Sequence, residues 1–337
     1  MSPTRFQMTT WDEVVAMEMA EQYVIEGLVS AHSTLLAGEP KAGKSLITAG
    51  LLRSLFTGEP FLGRRVNPSL DGQPYRVALC WTDDAARQEY RDRLLAVLPP
   101  GAKPDLRFFE IRGAMREEDW PPLARQIREA GCNFLVFDVM SQALDGSLND
   151  DHVVSMFFRG VREFARQGIP VLVLTHTSDK SGPNGWRPTA PMGSTLISAA
   201  VRTRLMLTRS AGGIWTVRVT GSTTGLSEIQ FSAVRHDVPA FTVVASMTVE
   251  ERRDAAVSRS RKRSGERLDR DEKLAQYIVQ HCQGMTRAEA AGVLFRANPG
   301  GRKESTLRKE LSGGTLSRIL SFDPADKSWS LAGPLEV

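Results

Sequence analysis

Residues 38–45 read GEPKAGKS: two glycines five positions apart, the second followed at once by a lysine and a serine. Each residue type has a use if an anion sits over the loop. The glycines let the backbone come close, the lysine neutralises charge, and the serine hydroxyl is a hard ligand for a small divalent cation. The flanks fit as well. STLLA before the loop is apolar and β-leaning, and LITAGLLRSLF after it is helical. A strand, a glycine-rich loop and a helix in that order form a phosphate cradle, because the first-turn N–H groups of the helix lack intrahelical acceptors. The expected cradle is Gly38, Glu39, Pro40, Lys41, Ala42, Gly43, Lys44, Ser45 and Leu46, with Lys44 reaching the β and γ phosphates of ATP and Ser45 a ligand for Mg2+. The competing reading is an ordinary glycine-rich turn.

Three strand ends could complete such a site. NFLVFD closes on Asp138, a carboxylate placed to hold the metal at the carboxyl edge of a parallel sheet. RVALCW is followed by Thr82-Asp83-Asp84, where one aspartate would deprotonate the attacking water and the other would cap the next helix. Asp83 is the favoured base and Asp84 the favoured cap, with the reverse assignment as the alternative. PVLVLTH ends in Thr175-His176-Thr177, with Lys180 nearby, and His176 is placed to sense the γ phosphate. Each has a plainer alternative: a strand-end aspartate, a helix cap, a solvated histidine.

The elements that must position these residues follow from periodicity. STLLA, RVALCW, NFLVFD, PVLVLTH and TRLMLT alternate with helical patterns such as ARQEYRDRLLAVL, PPLARQIREAG and VVSMFFRGVREFARQG. Buried strands alternating with helices predict an α/β fold with a mainly parallel central sheet covered on both faces. IWTVRVT, EIQFSAV and AFTVVA are shorter alternating runs that predict antiparallel hairpins finishing the sheet. The predicted boundaries are a core over 1–248, a basic linker over 249–268, and a small domain over 269–337.

Composition narrows the setting. The net charge is +4 over 337 residues, yet residues 251–337 hold 17 Lys and Arg against 12 Asp and Glu, a net of +5. Positive charge gathered at one end attracts a polyanion, most often nucleic acid, or is simply a solvated face, and charge alone does not choose between the two. Cys80, Cys132 and Cys282 form no metal or disulfide pattern and read as small core residues in a reducing compartment. No run approaches the roughly 18 apolar residues of a membrane span, and the N-terminus is charged where a signal peptide is apolar, so a cytoplasmic protein without membrane contact is expected.

The run YVIEGLVSAHSTLLAGEPKAGKSLITAGLLRSLFTGEPFLGR, with NFLVFDVMSQALDGSLNDD, VLVLTHTSDKSG and PMGSTLISAAVRTRLMLT after it, resembles the RecA-like ATPases related to the RepA plasmid helicases and, more distantly, the DnaB-type helicases. The resemblance covers residues 20–235. It implies a RecA-like P-loop NTPase core, ATP, Mg2+, and a homo-oligomer, often a hexamer, threading single-stranded DNA. The chain departs from the family in three places. Asp83 stands where the family usually has Glu. Met192-Gly193-Ser194-Thr195 replaces R-G-S-S. Arg218-Val219-Thr220 is the counterpart of a K-x-R pair that reaches a neighbouring subunit's nucleotide, with Arg202 and Arg204 as alternative fingers.

DEKLAQYIVQHC, MTRAEAAGVLF and ESTLRKELSGG predict three short helices, and GTLSRILSFDPADKSWSLAG predicts a hairpin. Three helices and a wing form the winged helix-turn-helix pattern, with Arg302, Lys303, Arg308 and Lys309 on or beside the third helix. Arg259, Arg261, Lys262 and Arg263 would add contacts to duplex DNA phosphates. The alternative is a module that docks protein. The function expected is an ATP-hydrolysing, DNA-binding protein of replication or recombination of the RepA-like helicase type; the alternative is an ATP-gated, non-motor DNA-binding or loading factor.

Overall fold

A computed structural model of the chain describes residues 8–16, 22–83, 85–177, 191–221, 224–235, 237–297 and 301–332. Internal contacts divide it into two units, Met1–Glu250 and Glu251–Val337.

In the first unit the strands are β1 (Tyr23–Ile25), β2 (Val29–Ser30), β3 (Ser33–Gly38), β4 (Val77–Trp81), β5 (Leu106–Glu110), β6 (Phe134–Asp138), β7 (Val171–His176), β8 (Thr203–Arg209), β9 (Trp215–Gly221), β10 (Leu226–Arg235) and β11 (Val238–Thr248). Its helices are α1 (Trp11–Ala16), α2 (Lys44–Thr57), α3 (Ala86–Leu95), α4 (Trp120–Glu129), α5 (Met140–Ala143), α6 (Asp151–Arg166) and α7 (Leu196–Ala199). Nine strands form one sheet in the order β11-β10-β9-β8-β3-β7-β6-β4-β5. From β8 to β5 all neighbours are parallel. From β8 to β11 they are antiparallel. The mainly parallel α/β sheet, its antiparallel extension and all eight strand-like runs read from the sequence are therefore present. One further strand, β5, pairs with β4 at the sheet edge.

Both faces are covered. Leu46, Ile47, Leu51, Leu52 and Leu55 of α2 pack with Tyr90 and Leu94 of α3 on one face, and Trp120 and Ile127 of α4 pack with Phe157, Phe158 and Phe164 of α6 on the other. Each large side chain so buried contributes about 1.5–3 kcal/mol. That packing holds α2 in place although its first residue is a lysine. Gly50 is required by close approach, since a Cβ there would stand 2.4 Å from the Phe241 ring of β11. The three cysteines are free and buried, and burial pushes the thiol of Cys80 upward and that of Cys132 up to about 11. No described helix is long and apolar enough to cross a membrane.

The second unit contains most of α8 (Val249–His281), then α9 (Arg287–Ala297), α10 (Glu304–Gly313), α11 (Leu316–Ile319) and the hairpin of β12 (Leu320–Asp323) and β13 (Ser328–Leu331). Leu274, Ile278, Leu294, Leu307, Leu311 and Trp329 form its core. The segment read as a linker, 249–268, is the first half of α8. Its Ala, Arg, Lys, Glu and Leu are good helix formers and no proline interrupts it, so helix propensity decides where apolar content is low. Arg302, read as facing DNA, is committed elsewhere. It pairs with Asp271, which is 2% exposed, while Arg267 lies 3.9 Å from the same carboxylate and 3.4 Å from Glu310.

Candidate active site

Glycine and a strained lysine shape the cradle. Gly43 has φ 98° and Lys41 φ 61°, so the chain turns sharply before α2 and the first intrahelical bond, Ile47 N–H to Gly43 O at 2.9 Å, closes behind it. The N–H groups of the first turn are left facing the loop's concave side. Trp215 of β9 braces the turn from below: its Nε1–H donates to Ala42 O at 2.8 Å, and its ring lies against the Gly43 position.

Lys44 is 7% exposed. Its Nζ donates to Gly38 O at 3.0 Å and Glu39 O at 3.1 Å, and lies 3.1 Å from His176 Nδ1. Backbone register explains the last contact, because β7 is the immediate parallel neighbour of β3 and His176 pairs with Gly38. β7 thus separates the cradle strand from β6, which carries Asp138.

Asp138 ends β6 with its carboxylate bound on two sides. Tyr90 of α3 donates its hydroxyl to Oδ2 at 2.7 Å, and the Ser45 side chain hydrogen-bonds to the same carboxylate. Burial pushes the Asp138 carboxyl above its usual range, against the two hydrogen bonds and the Lys44 charge, which pull it down. Burial, followed by the Asp138 charge, raises the Tyr90 phenol well above its ordinary value.

Lys44, Ser45, Asp83, Asp138 and His176 line one cavity of about 410 Å3. Glu89, Arg93 and Gln142, which the sequence reading passed over, line it too. Helical spacing explains the first two: Ala86, Glu89, Tyr90 and Arg93 share one face of α3. Glu89 and Arg93 form an ion pair, and Arg93 Nη1 is buried without an acceptor among the described residues. Asp83 is exposed at the cavity rim, and its Oδ1 accepts from Ala85 N–H at 3.0 Å. This bond closes a turn onto Ala85, the residue before α3, and does not cap the helix. Asp84 and Lys180 lie outside the described residues.

The candidate fingers stand apart from this cavity. Arg202 is exposed at the start of β8, and Arg204 and Arg218 are half-buried on β8 and β9, with Arg218 3.6 Å from Glu228. Met192-Gly193-Ser194-Thr195 is clasped to the body of the unit. Met192 N–H donates to His176 O at 3.0 Å, Ser194 N–H to Leu148 O at 2.8 Å, and the Ser194 hydroxyl to Asp151.

The donors fit a magnesium nucleoside triphosphate. One hydroxyl and one carboxylate suit Mg2+, which takes few protein ligands, and the first-turn N–H groups, Lys44 and the unsatisfied Arg93 nitrogen suit phosphate oxygens. When bound, the metal supplies charge neutralisation at the phosphates. The protein's own groups hold Asp138 and Ser45 together and place Lys44 where a phosphate can take over its carbonyl contacts.

Residues 2–182 match the family model described as an AAA domain. No curated protein matches the chain. With the cradle, the paired Ser45 and Asp138 and the family match converging on one stretch, the chain belongs to the AAA-domain family and its first unit is a P-loop ATPase domain.

Proposed function

We propose that the protein is a DNA-acting ATPase of replication or recombination, of the RepA-like helicase type, with Asp83 as the base that activates water, His176 as the group that registers the γ phosphate, and Arg202, Arg204 or Arg218 reaching the nucleotide of a neighbouring copy. The observation that carries this reading is the Lys44–His176 contact of 3.1 Å. Lys44 must leave His176 and the loop carbonyls to meet a phosphate. The strand end bearing His176 also holds Met192 at the base of the loop compared above with R-G-S-S. Nucleotide binding and a DNA-facing loop thereby share one strand end.

The basic second unit supports a DNA partner, with a winged-helix-like order in which helices α8 to α11 are followed by a hairpin. The turn hydrogen bond of Asp83 favours the second reading, an ATP-gated loading factor with slow turnover, because one carboxylate oxygen is already engaged. ATP turnover with and without single-stranded DNA, followed by strand displacement from a tailed duplex, tests both. DNA-stimulated turnover with displacement supports the motor; stimulation without displacement supports the loading factor; turnover indifferent to DNA removes both.

A further inference from the structure

The first half of α8 sorts its charges by face. Residues 251–270 hold eight Lys and Arg against four Asp and Glu, and every residue from Arg259 to Arg270 is exposed. At about 100° per residue, Arg252, Arg259, Arg263, Arg267 and Arg270 fall within an arc of roughly 80°. Glu251, Asp254 and Asp269 lie outside it, and Glu266 sits at its margin. Arg252, Arg259, Arg263 and Arg267 line a single groove of about 550 Å3 together with the small residues Ala256, Ser260 and Ser264.

A membrane surface does not match this face. Val257 and Leu268 are the only large apolar side chains in the segment, whereas an interfacial helix needs a continuous apolar side. A rigid polyanion does match. A rise of about 1.5 Å per residue sets Arg259, Arg263 and Arg267 about 6 Å apart along a straight line. Duplex DNA presents rigid rows of phosphate charges along the edges of a major groove about 12 Å wide that admits a helix. The third helix of the unit, α10, has less to offer, since Arg302 is held by Asp271 and Arg308 by Glu304, whereas on the α8 face Arg267 pairs with Glu310 but Arg259 and Arg263 form no ion pair among the described residues.

We infer that the arginine face of α8, rather than α10, is the surface that contacts duplex DNA. The inference rests on the reading of the chain as a DNA-acting ATPase. The small residues leave room for the phosphate backbone beside the arginines, and the contact is independent of base sequence.

The test uses the full chain and a mixed-sequence duplex of roughly 30 base pairs, with affinity followed between about 50 and 200 mM salt. The double variant Arg259→Gln, Arg263→Gln should lower the log–log salt slope by about 1.8, at about 0.9 per lost phosphate contact. The charge-matched variant Arg261→Gln, Lys262→Gln lies off the arc and should leave the slope unchanged. Helix content and basal ATP turnover should match wild type in both. Equal losses in the two variants would overturn the inference in favour of diffuse net charge. A slope altered only by Lys303→Gln, Lys309→Gln would return the contact to α10, and an equal effect on a single strand of the same length would overturn the duplex assignment. Wild-type protein that binds neither DNA would instead sink the DNA-acting reading, a result distinct from failure of the arginine face.

Discussion

Two groups of charged residues in this chain are held in opposite ways. Around the cradle, Lys44 and Tyr90 are buried and Asp138 is half-buried, and each is fixed by partners at 2.7–3.1 Å. On α8, most of the charges are exposed. Burial makes an unmatched polar group expensive, so geometry is specified. Exposure leaves charge cheap and adaptable, so only its face and density are specified. The first arrangement suits chemistry on one ligand; the second suits a long partner with many equivalent charges. Arg302 shows that the distinction runs through individual residues, for it is a basic residue of the second unit that behaves as the buried kind.

The largest effect expected at the buried kind of site is on turnover. Asp83→Asn should lower ATP hydrolysis by about 10²–10⁴-fold while ATP binding persists, the range for loss of a general base. Stability should not change, because asparagine accepts the Ala85 N–H as well as aspartate does. Unchanged turnover in a single-turnover assay would remove Asp83 from the chemistry.

Arg302→Gln comes next. Removing Arg302 leaves the buried Asp271 with only the more distant Arg267 at 3.9 Å, and should cost about 3–5 kcal/mol in urea unfolding of the second unit. A loss below 1 kcal/mol would place Arg302 with the solvated charges. Tyr90→Phe should cost about 1.5–3 kcal/mol, the worth of a hydrogen bond to a charged acceptor, with the ring's packing retained. Stability equal to wild type would mean that the Tyr90 hydroxyl does not fix Asp138. The smallest effect belongs to the exposed kind: Arg308→Gln should change stability by about 0.3–0.5 kcal/mol, because its partner Glu304 is one helical turn away and both are solvated. A larger loss would erase the contrast with Arg302.

Local features were legible in the sequence and distant ones were not. GEPKAGKS lies in eight consecutive residues, and Asp138 and His176 end apolar runs, so strand edges could be read directly. Tyr90 and Trp215 look like ordinary core aromatics. Their meaning comes from partners 48 and 173 positions away, Asp138 and Ala42. Glu89 and Arg93 could have been found, since they stand one helical turn and two beyond Ala86 on a helix that begins at a site strand. The strand LRFFE was missed because β5 is a half-exposed edge strand without strict alternation. The linker reading of 249–268 weighed charge over helix propensity. Arg302 was misread because its partner, Asp271, lies 31 residues earlier.

The central claim is that the cavity bounded by Lys44, Ser45 and Asp138 is built for a magnesium nucleoside triphosphate. Calorimetric titration of ATP into wild type and Lys44→Ala, each with and without Mg2+ and with far-UV circular dichroism as the folding control, tests it most directly. Binding to wild type should depend on magnesium, and removing Lys44 should lower affinity by about 10²-fold or more with the fold unchanged. Equal affinity in the two proteins would contradict it.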